Sequence, residues 1–292
     1  MSHLSTKNIG AKKLMIKKQL IMEKALELFA KQGFESTSIQ QITEHSGISK
    51  GAFYLSFKSK DELILAMIDH FMIQITSDID YVVKNTNDDT QLLYKFYHAT
   101  FNAFHKHSDF AKIFIKEQTQ SFNKEFIFKI AFYDRLIENI ILSMIERLYG
   151  EEVHHTKYDL IYCIKGFMNT YSQLFLFYNV PLDLDLLAQS LEEKTNLLAR
   201  HITVPFISQE LIQMFQQPLT EEEVSNEQLV EIIKQKLAEI EESIEKESLI
   251  LLKQQLLEPT FSPAIVKGLL ENIRNHPHCK WISYLLRKYY QF

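Results

Sequence analysis

Apolar residues recur at spacings of three and four positions along nearly the whole chain, which is the period of an α-helix. No stretch shows the alternation of apolar and polar residues that is typical of a half-buried strand. Only 7 glycines and 6 prolines interrupt the 292 residues, too few for a turn-rich β fold or for glycine-rich phosphate loops. The sequence therefore predicts an all-α protein, with later helices near residues 89–107, 109–120, 123–149, 155–179 and 183–203.

Three of the glycines, Gly33, Gly47 and Gly51, lie close together near the N-terminus. A first amphipathic helix is predicted to end at Gly33, since glycine readily takes the left-handed conformation of a helix C-cap. Ser38 followed by Gln41 forms a capping box that begins a short second helix. Gly47 ends that helix and permits the tight turn that follows it.

A third short helix follows this turn, with Ser49 as its cap and Phe57 as its predicted end. Phe53 and Phe57, four residues apart, are expected to anchor it to the core. Ser59 with Glu62 makes a second capping box, which begins a longer helix. Two short helices joined by a tight turn behind a longer helix form a helix-turn-helix, whose second short helix enters the DNA major groove.

Lys50 and Lys60 each lie directly after a helix N-cap, where a positive charge opposes the helix dipole. Two such positions close together indicate an anion such as phosphate near both helix ends. Residues 1–62 contain ten Lys and Arg against six Asp and Glu, whereas the rest of the chain contains 22 against 31. A basic head on an acidic body is typical of nucleic-acid binding, although the charge alone leaves open a solvated lysine-rich tail.

The segments FESTSIQQI, SGISKGAFY and FKSKDEL, which begin at Phe34, Ser46 and Phe57, together resemble the DNA-binding domain of the TetR/AcrR family of repressors. The resemblance implies an all-helical fold with a three-helix DNA-binding head and a larger helical body that dimerises and binds an effector. Four regions are predicted on this basis. They are a basic arm (1–18), a helix-turn-helix head (19–63), an effector-binding and dimerisation body (64–204) and an additional C-terminal helical region (205–292).

The same resemblance implies a set of residues that contact double-stranded operator DNA: Thr37, Ser38, Gln40, Ser49, Lys50, Gly51, Ala52, Tyr54, Ser56 and Lys60. Tyr54 and Lys60 match the family's phosphate contacts. Ile39 departs from the pattern, because a small polar residue is common there, and its phosphate contact is lost. The predicted recognition helix offers mainly small side chains, so DNA shape is expected to supply part of the specificity. The arm adds DNA contacts or remains a disordered, solvated extension.

In the resembled family, the last two body helices pair with those of a second copy. The matching segments are 158–178 and 184–200, and their apolar faces suggest a homodimer interface formed by Ile164, Phe167, Leu174, Phe175, Leu187, Leu191 and Leu198. Gly166 would allow close helix approach. Burial of these residues in an intramolecular core is the alternative. The need for two heads about one DNA turn (~34–36 Å) apart favours the dimer.

Aromatic side chains are dense between Phe96 and Phe177. They form ordinary core or line a cavity for a small-molecule effector, for which the candidates are Phe101, Phe104, Phe114, Glu117, Phe132, Asp134, Phe167 and Tyr171. The acidic candidates would suit a cationic lipophilic effector, whereas a fatty acyl effector needs only the apolar lining. Binding would favour a dimer whose heads are wrongly spaced for a palindromic operator. The predicted function is a ligand-released repressor, for example of an efflux or lipid-related operon.

Residues 205–292 exceed the usual length of the family. Residues 220–258 are rich in Glu, Lys, Gln and Leu and predict one helix with a single apolar seam, formed by Ile233, Leu237, Ile240, Ile244 and Leu251. This region could pack onto the body, extend the dimer interface or bind another protein. We expect it to pack within the chain or across the dimer.

Several function classes are not expected. No apolar run reaches the roughly 18 residues needed to cross a bilayer, and no signal peptide is evident, so a cytoplasmic protein without a membrane partner is predicted. Cys163 and Cys279 suggest reduced, buried thiols. The histidine pairs lack metal-site spacing, and no nucleophile elbow or phosphate loop is present, so neither an enzyme, a metal site nor a cofactor is expected. The alternative function is a helical protein-interaction module that no longer binds DNA.

Overall fold

A computed structural model describes residues 2–117, 124–178, 183–208, 211–212, 225–276 and 279–292, with side chains except at 2–15, 114–117, 124 and 175. The described residues contain helices and turns but no strand, which confirms the all-α prediction. None of their helices is long and apolar enough to span a bilayer.

Nine helices are described before residue 202: α1 (Ser2–Gln32), α2 (Ile39–Ser46), α3 (Lys50–Tyr54), α4 (Lys60–Asn85), α5 (Leu92–Lys106), α6 (Ser108–Glu117), α7 (Lys124–Tyr149), α8 (Lys157–Phe177) and α9 (Leu184–His201). Single 3₁₀ turns occupy Asp89–Gln91 and Gly150–Val153. Four more helices are described after residue 225: α10 (Asn226–Glu239), α11 (Ile244–Leu257), α12 (Pro263–Arg274) and α13 (Lys280–Tyr290).

The chain divides into two compact units. One, here called the N–C unit, combines residues 1–67 with 220–292, and the other, the central unit, spans 68–219. Helix α1 is a single helix from Ser2, so the backbone of the predicted arm continues directly into the first helix of the head. Helix α4 begins in the N–C unit and continues into the central unit.

The head of the N–C unit is held by a small apolar core. Ile21, Ala25 and Phe29 of α1, Ile42 of α2 and Phe53 of α3 are all buried, as their helical spacing predicted. Each large apolar side chain removed from water contributes about 1.5–3 kcal/mol to folding. This core fixes α3 behind α2 and so determines which of its side chains face outward.

The C-terminal part of the N–C unit corrects the prediction of one seamed helix over 220–258. Ile240 is buried in an extended conformation that ends α10, and Ser243 caps a separate helix, α11, by accepting a hydrogen bond from the Lys246 amide. Ile244 and Leu251 are consequently exposed. Helix α10 packs against α1, α11 and α13, and α12 packs against α11 and α13.

In the central unit, α5 packs against both α8 and α9. Tyr97 of α5 is fully buried, and its hydroxyl shares a hydrogen bond of 2.7 Å with Thr195 of α9. On α4, Asp69 accepts hydrogen bonds from Lys129 at 2.7 Å and from the Tyr133 hydroxyl at 2.9 Å, both on α7. Burial, together with the Asp69 charge, raises the pKa of Tyr133. These polar contacts lock α5 to α9 and α4 to α7.

Candidate nucleic-acid interface and effector cavity

The turn between α2 and α3 follows its predicted capping chemistry. The Ser38 hydroxyl accepts from the Gln41 amide at 3.2 Å, and the Gln41 side chain accepts from the Ser38 amide at 2.8 Å. Gly47 has φ 65°, in the left-handed region, and its amide donates to the Glu44 carbonyl at 3.2 Å. A side chain at this backbone conformation would be strained, so the glycine makes the tight turn possible.

Helix α3 is shorter than predicted, since it ends at Tyr54 rather than at Phe57. Ser49 caps it by accepting from the Ala52 amide at 3.2 Å. Phe53 is fully buried and lies edge-on to the ring of Tyr54, which is 53% exposed. The helix therefore holds the core through one aromatic residue and presents the next one to solvent.

Six of the predicted DNA-contacting residues are exposed on the head: Ser38, Gln40, Ser49, Lys50, Gly51 and Tyr54. They form a connected surface, here called the reading face. The Lys50 ammonium donates to the Gln40 side chain at 3.3 Å, and Gln40 donates to Glu44 at 2.9 Å. A Cβ added at Gly51 would meet only the Ser49 hydroxyl, at 3.9 Å, so the helix surface there is open to a close partner. Ala52 is half-buried.

Two predicted DNA contacts do not fit this geometry. Thr37 is 1% exposed, and its hydroxyl donates to the Gly33 carbonyl at 2.7 Å while accepting from Gln32 at 3.1 Å. Ser56 lies beyond the end of α3, is buried, and donates to the Ala52 carbonyl at 3.2 Å. Both hydroxyls serve the head's internal hydrogen bonding and cannot reach DNA from these positions.

Lys60 is directed inward rather than toward an anion. Its ammonium donates to the carbonyls of Phe34 at 2.8 Å, Thr37 at 3.1 Å and Glu35 at 3.4 Å, and lies 4.2 Å from the centre of the Phe34 ring. An ammonium has three N–H donors, so these carbonyls occupy all of them. The structure therefore gives Lys60 a structural role in place of the predicted phosphate contact. Its hydrogen bonds connect the start of α4 to the loop before α2.

The second capping box is only half formed. The Ser59 hydroxyl accepts from the Glu62 amide at 3.0 Å, as predicted. The Glu62 carboxylate instead accepts from the amide of Lys58 at 2.7 Å, one residue earlier than a capping box requires. The Ser59 hydroxyl and the Glu62 carboxylate therefore each accept a hydrogen bond from a backbone amide near the start of α4.

A contact that the sequence did not reveal joins α1 to the end of α2. The His45 ring lies 2.6 Å from the Glu27 carboxylate, and both side chains are largely exposed. Hydrogen bonds from Lys24 and His45 lower the pKa of Glu27. The partners are 18 residues apart, and no local pattern connects them.

A cavity of about 440 Å³ lies in the central unit among α4, α5, α7 and α8. Its lining is mainly apolar, with polar groups on α7 and α8: Met72, Phe104, Ile130, Asp134, Ile137, Tyr162, Lys165, Gly166, Met168 and Asn169. This size and composition are typical of a small-molecule site.

The predicted pocket residues divide between the cavity and the core. Phe104 and Asp134 line the cavity. Phe101 is buried in the core, and Phe132, Phe167 and Tyr171 are half-buried outside the lining. The side chains of Phe114 and Glu117 lie outside the described residues.

Lys165 contributes a positive charge to the cavity lining and was not among the predicted pocket residues. Its ammonium donates to Asp134 at 2.8 Å and to Glu138 at 2.5 Å. Burial lowers the pKa of Lys165, but the two carboxylates outweigh burial and raise it. Asp134 is thus already paired, and it shares the single ammonium of Lys165 with Glu138.

Comparisons with known proteins agree with the helix-turn-helix geometry. Residues 21–67 match the family model described as bacterial regulatory proteins, tetR family. The chain is 29% identical over 276 residues to the uncharacterized HTH-type transcriptional regulator YerO of Bacillus subtilis, covering 88% of this chain and 89% of that protein. It is 27% identical to YuxN of the same organism, covering 88% and 91%. The head thus matches the tetR family model, and most of the chain is similar to HTH-type transcriptional regulators.

A solved structure supports the fold of this chain. The transcriptional regulator FadR from Bacillus subtilis, solved in complex with stearoyl-CoA, matches with a TM-score of 0.54 and 18% identity, covering 61% of this chain and 96% of FadR. The match to YerO is longer. Because 88% of 292 residues is about 257, it includes at least fifty residues beyond residue 204. At least part of the additional C-terminal region is therefore shared with YerO.

The predicted dimer residues do not lie on one surface. Ile164 and Leu191 are fully buried in the protomer's own core, and Phe167, Leu187 and Leu198 are half-buried. The side chain of Phe175 lies outside the described residues. Leu174 is 47% exposed. Ile164 and Leu191 therefore face the protomer's own core and not a partner, because both faces of α8 and α9 carry apolar residues.

The exposed apolar residues of α8 and α9 form a different set, here called the bundle face: Leu174, Phe177, Leu186 and Leu197. Gly166 and Asn169, which precede Leu174 on α8, are also exposed. The sequence could not distinguish this exposed face from the buried face of the same helices, because Leu is the commonest residue on both.

Cys279 is buried and lies 3.4 Å from the His276 ring. Burial raises the pKa of its thiol to about 12, so the thiol is protonated at neutral pH. Among the described residues, no three His, Cys, Asp or Glu side chains are grouped so that they could hold a metal ion.

Proposed function

We propose that this regulator is a dimeric repressor that binds a palindromic operator through the reading face and is released by an apolar effector. The observation that carries the proposal is the connected exposed surface of Ser38, Gln40, Ser49, Lys50 and Tyr54 around an open helix surface at Gly51. The Lys50 ammonium and the Tyr54 hydroxyl supply donors for phosphate, and Gln40 supplies an amide for a base edge. With few long side chains, the face depends on DNA shape for the rest of its specificity.

We infer that the bundle face joins two copies. Leu174 and Phe177 on α8 lie in one exposed apolar row, and Leu186 and Leu197 lie in another on α9. Helices α8 and α9 pack against each other, so the rows belong to one two-helix surface. Solvent exposure of this much apolar surface is explained by a partner, and a second copy would bring two heads to one operator.

The effector site of the proposal is the cavity of the central unit. Asp134 is already paired with Lys165, so a cationic effector would have to compete with that ammonium, whereas an apolar one would not. This favours the apolar alternative. The similar structure of FadR contains stearoyl-CoA, whose acyl chain would suit an apolar lining.

The cavity is positioned to influence the dimer. Gly166 and Asn169 line the cavity and are exposed on α8, and Gly166 lies three turns before Phe177 of the bundle face, on the same side of the helix. Met72 of α4 and Ile130 of α7 also line it, and Asp69 and Lys129 join those two helices. Filling the cavity would thus act on α4, α7 and α8 together and shift the population of dimers away from the operator-binding spacing.

A comparison of Lys50→Ala with Lys60→Ala tests the DNA-binding surface. Lys50→Ala should reduce the slope of log K against log salt by about one unit for each protomer, because one phosphate contact is lost per head. Lys60→Ala should leave the slope nearly unchanged but lower the free energy of unfolding by about 1–3 kcal/mol, because three loop carbonyls lose their donor.

The two variants are measured by gel-shift titration at three salt concentrations and by urea denaturation. The DNA probe is the sequence that flanks the protein's own gene, and footprinting on it gives the half-site spacing. An unchanged slope for Lys50→Ala would remove the phosphate contact. Absence of any specific binding by the unmodified protein would reject the operator function and favour a protein-interaction module.

A substitution at Gly166 tests the effector cavity. A Cβ at this position meets nothing within 4 Å, so Gly166→Ala should leave the protomer's fold intact, whereas Gly166→Trp should fill the cavity's edge. The uncharged dye N-phenyl-1-naphthylamine serves as the probe, followed by fluorescence. We expect Gly166→Trp to weaken dye binding at least tenfold and Gly166→Ala to weaken it little. Equal binding to both variants would place the apolar site elsewhere.

A further inference from the structure

The last helices of the chain belong to the same compact unit as the DNA-binding head. Residues 220–292 group with residues 1–67, and α10 packs against α1. This region was expected to pack within the chain or across the dimer, and it packs within the chain. Its observed place gives it a different physical role, because α1 is also the helix against which α2 is held.

Helices α10–α13 form a packed bundle of their own. Each of the four contributes fully or nearly fully buried side chains, among them Leu229, Ile233, Leu252, Leu270 and Leu286. Polar contacts close the bundle: the Asn226 side chain donates to the Leu256 carbonyl at 2.9 Å, and Asn272 donates to Ser248 at 3.1 Å. The buried Arg287 pairs with Glu271. The bundle is therefore cohesive enough to act on α1 as one body.

Helix α1 packs against both the head and this bundle. Ile21, Ala25 and Phe29 of α1 are buried in the head, and α1 contacts both α2 and α10. When one helix contributes to two packed groups, opening either group exposes part of the other, so their local stabilities become linked. A three-helix head has a small core, which makes it sensitive to such support.

We propose that residues 226–292 brace the DNA-binding head by holding α1. Operator affinity depends on this brace, whereas the pairing of two copies through the bundle face of α8 and α9 does not. The brace extends the proposed function to the C-terminal region, part of which is shared with YerO. Only the operator-affinity part rests on the proposed function.

The linkage is tested by hydrogen exchange on the full chain. Leu252→Ala removes a fully buried side chain from α11, which packs on α10 and α12. Leu257→Ala is the matched control, since Leu257 lies on the same helix and is 61% exposed. We expect Leu252→Ala to speed exchange of α1 and α2 amides at least tenfold, with α5 and α9 unaffected and the control unchanged. Faster exchange confined to α10–α13 would overturn the brace.

A second measurement does not depend on how well Leu252→Ala folds. A protease recognition sequence inserted between residues 212 and 225 allows the connection to be cut in the otherwise intact protein. The C-terminal fragment should remain bound to the rest through size-exclusion chromatography without denaturant. Its separation as a folded or unfolded fragment would overturn the proposal.

Operator binding by the same variants distinguishes the brace from the proposed function. Leu252→Ala should weaken binding at least tenfold at constant salt slope, whereas Leu257→Ala should bind as the unmodified protein does. If the unmodified protein bound no operator, the DNA-binding proposal would fail while the exchange and cleavage results still decided the brace. Unchanged affinity alongside faster α1 exchange would contradict the claim that affinity depends on the brace.

Discussion

Replacing both Leu174 and Leu197 by aspartate should convert the protein to a monomer and weaken operator binding at least a hundredfold. The two side chains are 47% and 51% exposed, so the charges can be accommodated by an isolated protomer. Across a two-fold interface they would place four carboxylates in an apolar contact, where unpaired charge is strongly unfavourable. Without the partner, the second head loses its high effective concentration at the operator, which is worth about 10²–10⁴ in affinity.

Sedimentation equilibrium gives the mass of the double variant, and gel-shift titration gives its affinity. Leu257→Asp is the control, because it adds a charge at an exposed leucine of α11 in the other unit. The control should remain dimeric and bind normally. A double variant that stayed dimeric would show that the two copies meet on another surface.

Replacing Phe53 by alanine should unfold the head and abolish operator binding. The ring is fully buried and lies near Tyr54 and Phe57. Removal of a buried phenylalanine typically costs about 3–5 kcal/mol, because the transfer free energy is lost and a cavity remains. The head core is small, so no neighbouring layer of side chains can collapse into that space.

Urea denaturation followed by circular dichroism measures the loss of stability, and gel-shift titration measures the loss of binding. Leu55→Ala serves as the control, since Leu55 lies two residues away and is 77% exposed. It should change the free energy of unfolding by less than about 0.5 kcal/mol. Wild-type stability of Phe53→Ala would mean that α3 is not anchored through this ring.

The local features of the head could be predicted because they depend on hydrogen bonds between residues three to five positions apart. The Ser38–Gln41 box, the Ser49 cap and the left-handed Gly47 all formed where the sequence placed them. The end of α3 was predicted three residues too late, because Phe57 is buried by packing without being helical. Burial of an apolar side chain does not by itself require that the helix continue.

The roles of single polar side chains were less predictable. Lys60 matched a phosphate contact by position, yet its partners are carbonyls 23 to 26 residues earlier in the chain. Lys165 pairs with carboxylates 27 and 31 residues away. Such partners meet only after helices have packed, so the sequence around either lysine contains no trace of them.

By itself, the sequence determined the helix-turn-helix, its caps and its turn, and the all-helical character of the chain, because these follow from residue types within one or two helical turns. Only the tertiary structure decided which face of each helix is exposed. It turned Ile164 and Leu191 inward, left Leu186 and Leu197 outside, and joined the C-terminal helices to α1. The physical reason is that helical spacing in the sequence indicates only that one face of a helix is buried. Which segment covers that face depends on how distant parts of the chain pack together.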